Sequence, residues 1–264
     1  MARPHTIYRS LSALLLLGIV AVVCVSLGNW QLDRAAQRIA IKQDIQAGRS
    51  TAPLQLSAGT PPSAFTAWRP ASAQGVWRHD LTVLLENRNY QGRPGYWVAT
   101  PLMLDGKADT AVLVLRGWLP RPASIEQALP AIPAPDGKQT IAGELLARVP
   151  RLFELSSATQ LPSTLPDPAQ GPPRVQNLDL DAYAAATGLK FMPMVLAQTA
   201  DAIQENGETE TGAQLLREWP EPSLDADKNK GYALQWFGFA AIAAIAWLVI
   251  AWRTVRRRGK PNSF

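Results

Sequence analysis

The chain has 264 residues, with 26 Lys and Arg against 21 Asp and Glu, two His and one Cys. A single cysteine excludes an internal disulfide, and with so few histidines a structural zinc site lacks ligands. The net charge of +5 does not imply a nucleic-acid partner: residues 1–30 and 232–264 hold seven basic and no acidic residues, while the middle holds 19 basic and 21 acidic, so the excess belongs to the two ends.

From the N-terminus, Arg3 and Arg9 precede the apolar run LSALLLLGIVAVVCVSLGNW, Leu11 to Trp30. It is too long for a signal-peptide core, and no small-x-small cleavage site follows before QLDRAAQR. A lipoprotein site at Cys24 lacks the small residue it needs, because Val22 and Val23 precede it. The run predicts an uncleaved transmembrane helix over 11–30. QLDRAAQRIAIKQDIQAG, rich in helix formers and free of proline, predicts a continuation or quick restart of that helix.

Short β-like runs follow the Pro/Ser-rich PLQLSAGTPPS: 68–77, 81–87, 96–104 and 110–118, with later members at 139–147 and 191–198. His79-Asp80, QGRPG and LDGKAD mark the turns. The pattern predicts an antiparallel meander or barrel-like sheet, with Arg88 and Arg116 on adjacent strands of a central hairpin, held by carboxylate or carbonyl contacts. Two stretches with five prolines each, 120–137 and 161–174, predict surface loops. LDLDAYAAATG predicts a short helix opened by Asp179 or Asp181 and stopped by Gly188. The polar stretch 201–230 reads as a linker back to the membrane.

The last span, Tyr232 to Trp252, contains no charged residue. Its 21 residues rise about 31 Å as a helix, which matches a hydrocarbon core of about 30 Å. Trp236 and Trp252 stand near its two ends, at the depth Trp and Tyr favour. Basic flanks stay cytoplasmic while a long loop is translocated. The chain therefore divides into a cytoplasmic N-terminus (1–10), a first span (11–30), an outside domain (31–231), a second span (232–252) and a basic cytoplasmic tail (253–264). The tail RTVRRRGK suits contact with anionic lipid headgroups. The fold class is α+β: two transmembrane helices flank a β-rich extracytoplasmic domain with a few short helices.

Catalytic constellations are missing from the sequence. Of the two histidines, His5 precedes the first span and His79 lies in a turn; G-x-S-x-G, P-loop and G-x-G-x-x-G motifs do not occur. Met192 and Met194 in FMPM carry thioethers that suit Cu(I), but at spacing two they share one strand face, where a core pair is expected. The sequence predicts no enzyme and no metal site.

Four stretches carry a family resemblance: LGNWQLDRAAQR, NRNYQGRPGYWVATPLML, VLVLRGWLPR, and REWPEPS followed by GYALQWFGFA. In this order, with matching spans, the chain resembles the Surfeit locus protein 1 family, whose members assist assembly of cytochrome c oxidase. The matching positions are Trp30, Gln31 and Arg34; Arg88, Gly92, Gly95, Tyr96, Thr100 and Pro101; Arg116, Gly117 and Trp118; and Tyr232, Gln235, Trp236 and Phe237. The resemblance implies a bacterial inner-membrane assembly factor with a periplasmic domain, whose partners are oxidase subunit I, the haem a synthesis machinery and membrane lipids. It also implies delivery of haem a to subunit I. In the family a histidine commonly stands three residues before the tyrosine of the last-span motif and is the proposed haem a ligand. Here that position is Asn229, and an amide is a poor iron ligand beside imidazole. Asn229, Tyr232, Gln235 and Trp236 are thus expected to form a collar for a porphyrin edge or a partner helix. The departure raises a second expectation, a cofactor-free chaperone that clamps subunit I through protein contacts.

Overall fold

The computed structural model describes residues 4–105, 109–124, 127–154, 161–166, 171–204 and 215–258. The chain divides into two compact units: Met1–Gln43 with Pro222–Phe264, and Asp44–Glu221.

The first unit is a pair of helices. α1 is one helix over Pro4–Ser50, so the helix-forming stretch after Trp30 continues the first span without a break. α3 covers Ala226–Arg258 and begins in the polar run before Tyr232. Both are long and apolar enough to cross a membrane. Large apolar side chains lie exposed along them, including Leu15, Leu16, Val22, Leu234, Ile242 and Leu248. In water such a surface would drive aggregation; in a bilayer it is the ordinary lipid-facing surface. This supports membrane anchoring.

The second unit is β-rich. Its strands are β1 (Leu54–Leu56), β2 (Pro70–Trp77), β3 (Val83–Tyr90), β4 (Arg93–Leu104), β5 (Thr110–Pro120), β6 (Lys138–Leu146), β7 (Arg174–Val175), β8 (Lys190–Gln198) and β9 (Ile203–Gln204). Pairings β2–β6, β6–β8, β8–β5, β5–β4 and β4–β2 close a five-stranded ring. All five strands feed one apolar cluster that includes Ala73, Leu102, Val114, Ile141 and Leu196. Met192 and Met194 belong to it, so their thioethers fill core space.

Topology departs from a simple meander. β8 inserts between β6 and β5 and runs parallel to β5; β1–β2 and β3–β7 are also parallel. Pro193 is tolerated in β8 because it falls between the paired residues Phe191 and Val195, where the ladder to β5 is interrupted. Arg88 and Arg116 do not lie on adjacent strands: β4 separates β3 from β5. Arg88 belongs instead to the hairpin β3–β4, whose two-residue loop Gln91-Gly92 has φ of 47° and 78°, the double positive φ of a tight hairpin turn. The tip of LDGK lies outside the described residues, although the antiparallel β4–β5 register it closes is present.

The short helix α2 spans Leu180–Thr187. Asp179 caps it by accepting from the Asp181 and Ala182 N–H groups, and Gly188 ends it at φ 70°. The described parts of the two proline-rich stretches are largely irregular, apart from Pro120, the last residue of β5, and β7. The stretch 201–230 is more than a linker: it supplies β9, and Leu216 exchanges backbone hydrogen bonds with Trp118 at 2.7 and 3.0 Å. Leu215 is buried there, and Trp219 packs edge-on against Trp97 at 5.1 Å.

Candidate functional site

Of the motif residues of the β-rich unit, Arg88, Gly95 and Gly117 gather around Trp118, which is 2 % exposed. Its indole Nε1–H donates to the Arg88 carbonyl at 2.7 Å, and Tyr90 packs on it at 5.4 Å. Gly95 lets β4 and β5 approach: a Cβ there would lie 2.3 Å from the Leu119 carbonyl oxygen and 2.4 Å from the Trp118 ring. Gly117 sits at φ 149°, where a Cβ would meet Leu215 at 2.9 Å.

Arg88 is 4 % exposed and donates from Nη2 to the carbonyls of Pro150 and Gln176, both at 3.0 Å, while its guanidinium lies 4.5 Å from the Trp97 ring centre. Burial lowers its pKa to about 10, so it stays charged at neutral pH. The contacts are carbonyl contacts that tie two loop segments to the sheet. Arg116 is fully buried with its guanidinium 4.6 Å from the Trp77 ring. Thr100 exchanges a 3.0 Å hydrogen bond with Thr82, and the Pro101 carbonyl accepts from the Arg78 N–H. Tyr96 is 2 % exposed on β4.

Arg88→Ala removes two bonds from a charged donor, each worth about 1.5–3 kcal/mol, against relief of the cost of burying the charge. The expected net loss is about 2–3 kcal/mol, read as a lower thermal midpoint of the purified full chain.

The helix pair is antiparallel, and its seam is built from small side chains. On α1 these are Cys24, Gly28 and Ala35, with Gln31 between; on α3 they are Ala226, Ala233, Ala240 and Ala243, with Asn229 between. The spacing of three and four residues keeps one stripe facing the partner helix. Gly28 leaves no room for a side chain against the Phe237 ring: a Cβ there would lie 2.6 Å from it. The Asn229 Nδ2–H donates to Gln31 Oε1 at 2.6 Å, and Arg38 donates to the Asp225 carbonyl at 2.6 Å. In lipid such polar bonds and close packing stand in for the missing hydrophobic drive between helices.

The expected collar is therefore split. Asn229 faces the seam with Ala226 and Ala233, while Tyr232 and Gln235 are exposed and Trp236 packs edge-on with Phe239 at 6.0 Å. Trp30 is also exposed, and Arg34 donates to its neighbour Gln37. The collar does not offer the imidazole that the resemblance implies: at that position stands an amide already bonded to Gln31. His79 belongs to the β-rich unit, where its Nε2 lies 3.0 Å from the Pro135 carbonyl oxygen. Sequence reasoning missed Gly28 and the Gln31–Asn229 pair. The available signal was the stripe of small residues recurring every three or four positions in two apolar runs.

Two candidate membrane helices and a closed barrel domain locked by glycine and tryptophan define a membrane-anchored α+β protein. The SURF1 family model matches residues 18–241, most of the chain, and the chain belongs to that family, whose members are cytochrome c oxidase assembly factors and are not known as enzymes. No individual curated protein matches it.

Proposed function

We propose that this chain assists maturation of oxidase subunit I through protein contacts in the membrane, without ligating haem iron itself. The observation that carries this reading is the Asn229–Gln31 bond: the position at which the family resemblance implies an iron ligand is spent on joining two helices. A groove of about 440 Å³ along the helix pair, lined by small residues such as Ala21, Ser26, Ala240 and Ala244, supports docking of a partner helix.

The haem a delivery reading draws on Tyr232, Gln235 and Trp236, which offer polar and aromatic groups on an exposed stretch of α3. In that case the iron ligand comes from the partner. The test is the absorption spectrum of protein purified in detergent from cells that make haem a. Contact-based assistance predicts no stoichiometric Soret band; a band at one haem per chain, bleached in Gln235→Ala or Trp236→Ala, establishes haem handling.

We further place the barrel domain in the periplasm of a bacterial cell, with both termini cytoplasmic, on the strength of the basic ends. Green fluorescent protein fused after Phe264 is expected to fluoresce, and alkaline phosphatase inserted near Gly137 to be active. Inactive phosphatase at that position reverses the topology.

A further inference from the structure

The barrel domain contains a cavity of about 720 Å³ beside the start of β4 and the end of β5. Three arginines line it: Arg93 on β4, Arg121 just beyond β5, and Arg174 on β7. Among the described lining residues there is no carboxylate. No side-chain hydrogen bond or ion pair joins any of the three to another described residue. Elsewhere in the domain several arginines are neutralised: Arg49 pairs with Glu144 and Glu221, Arg78 with Asp80, and Arg217 with Asp201. The concentration of positive charge is local, because residues 31–231 carry 19 basic and 21 acidic residues.

A second observation points the same way. Tyr96 lines the cavity, is 2 % exposed, and its hydroxyl finds no hydrogen-bond partner among the described residues. The Tyr183 hydroxyl donates to the Leu81 carbonyl inside the core, whereas that of Tyr96 is not enclosed and opens onto the cavity. Here the donor remains available at the cavity. The walls are also preset. Pro94, Pro120 and Pro122 fix the backbone around the opening, and Gly95 pairs with Pro120 across β4 and β5. The Arg174 guanidinium lies 5.5 Å from the Tyr96 ring centre and that of Arg93 5.9 Å from the Trp118 ring centre, so two of the three cations are held over aromatic faces.

We propose that this cavity binds a small ligand carrying two phosphate groups. Three guanidinium groups, always charged, match multivalent oxyanions in charge and in the fork geometry of their donors. The Tyr96 hydroxyl supplies a neutral donor, and Ser124 and Gln127 stand at the rim. The volume falls within the usual range for small-molecule sites, roughly 300–1,000 Å³. Paired phosphates have two sources in a membrane protein's surroundings: a soluble diphosphate, or the headgroup of a diphosphate lipid.

The test uses the full chain in nanodiscs of zwitterionic lipid, titrated with inorganic pyrophosphate, and a parallel set containing cardiolipin. In the first arm pyrophosphate raises the melting midpoint of the barrel domain. Arg121→Ala and Arg174→Ala each weaken its affinity about tenfold, the loss of one charged hydrogen bond. Tyr96→Phe weakens it too while leaving the ligand-free midpoint unchanged, because the hydroxyl makes no internal bond; Arg148→Ala, at an exposed arginine outside the cavity, leaves affinity unchanged. Stabilisation by cardiolipin alone, lost in the same variants, assigns the site to the lipid headgroup. If neither probe distinguishes the wild type from Arg121→Ala, or if Arg148→Ala weakens binding equally, the proposal is wrong.

Discussion

Trp118→Ala is expected to destabilise the barrel domain by about 3–5 kcal/mol, the range for deleting a large buried aromatic side chain. The reason lies in what meets at this residue. Its ring closes the gap left by Gly95, its Nε1–H satisfies the Arg88 carbonyl, and its backbone pairs with Leu216. Truncation leaves a cavity between β4 and β5 and a buried carbonyl without a donor, two penalties that add because relaxation of a sheet around a missing indole is limited. The check is a chemical or thermal unfolding transition of the full chain in detergent, followed by tryptophan fluorescence. Trp118→Phe, which keeps much of the ring volume and loses the N–H, should fall between. A midpoint for Trp118→Ala equal to wild type would mean that the domain does not depend on this contact.

Gly28→Leu is expected to separate the two membrane helices. Even a Cβ at this position would come within 2.6 Å of the Phe237 ring, and a full isobutyl group requires the helix axes to part. Close approach is what allows van der Waals packing to hold helices together in lipid, and the Gln31–Asn229 bond adds only about 0.6–2 kcal/mol. Separation therefore stretches that bond as well. Cysteines placed by Gln31→Cys and Asn229→Cys, with Cys24→Ala removing the native thiol, should cross-link through a short bismaleimide in the Gly28 chain. The same pair should lose most of its cross-linking in the Gly28→Leu chain. Gly28→Ala is the milder companion, with a partial effect if Phe237 rotates away.

Much of this architecture is legible in local chemistry. The hairpin β3–β4 is announced by Gln91-Gly92, α2 by Asp179 and Gly188, and the ring strands by apolar runs separated by turn residues. Local patterns also explain why both spans are visible, since a continuous apolar run needs no partner to be recognised. What stayed hidden depends on residues far apart in sequence. The parallel β5–β8 pairing and the β2–β4 closure join strands whose own patterns are the same in a meander. Residues 215–219 look like linker because a segment held by one backbone bridge, one buried and one half-buried side chain has too short a pattern to register. Arg88 and Arg116 were expected side by side because each follows an apolar strand, yet β4 passes between their strands. Gln31 and Asn229 are separated by 198 positions, and only the packing of two small-residue stripes brings them together.

The central claim is that assistance to the oxidase runs through protein contacts. It is tested most directly by affinity capture of the tagged chain from cells unable to make haem a, with subunit I quantified by mass spectrometry. The account predicts that subunit I is captured in the same yield as from cells that make haem a. Capture of subunit I only when haem a is made would contradict it.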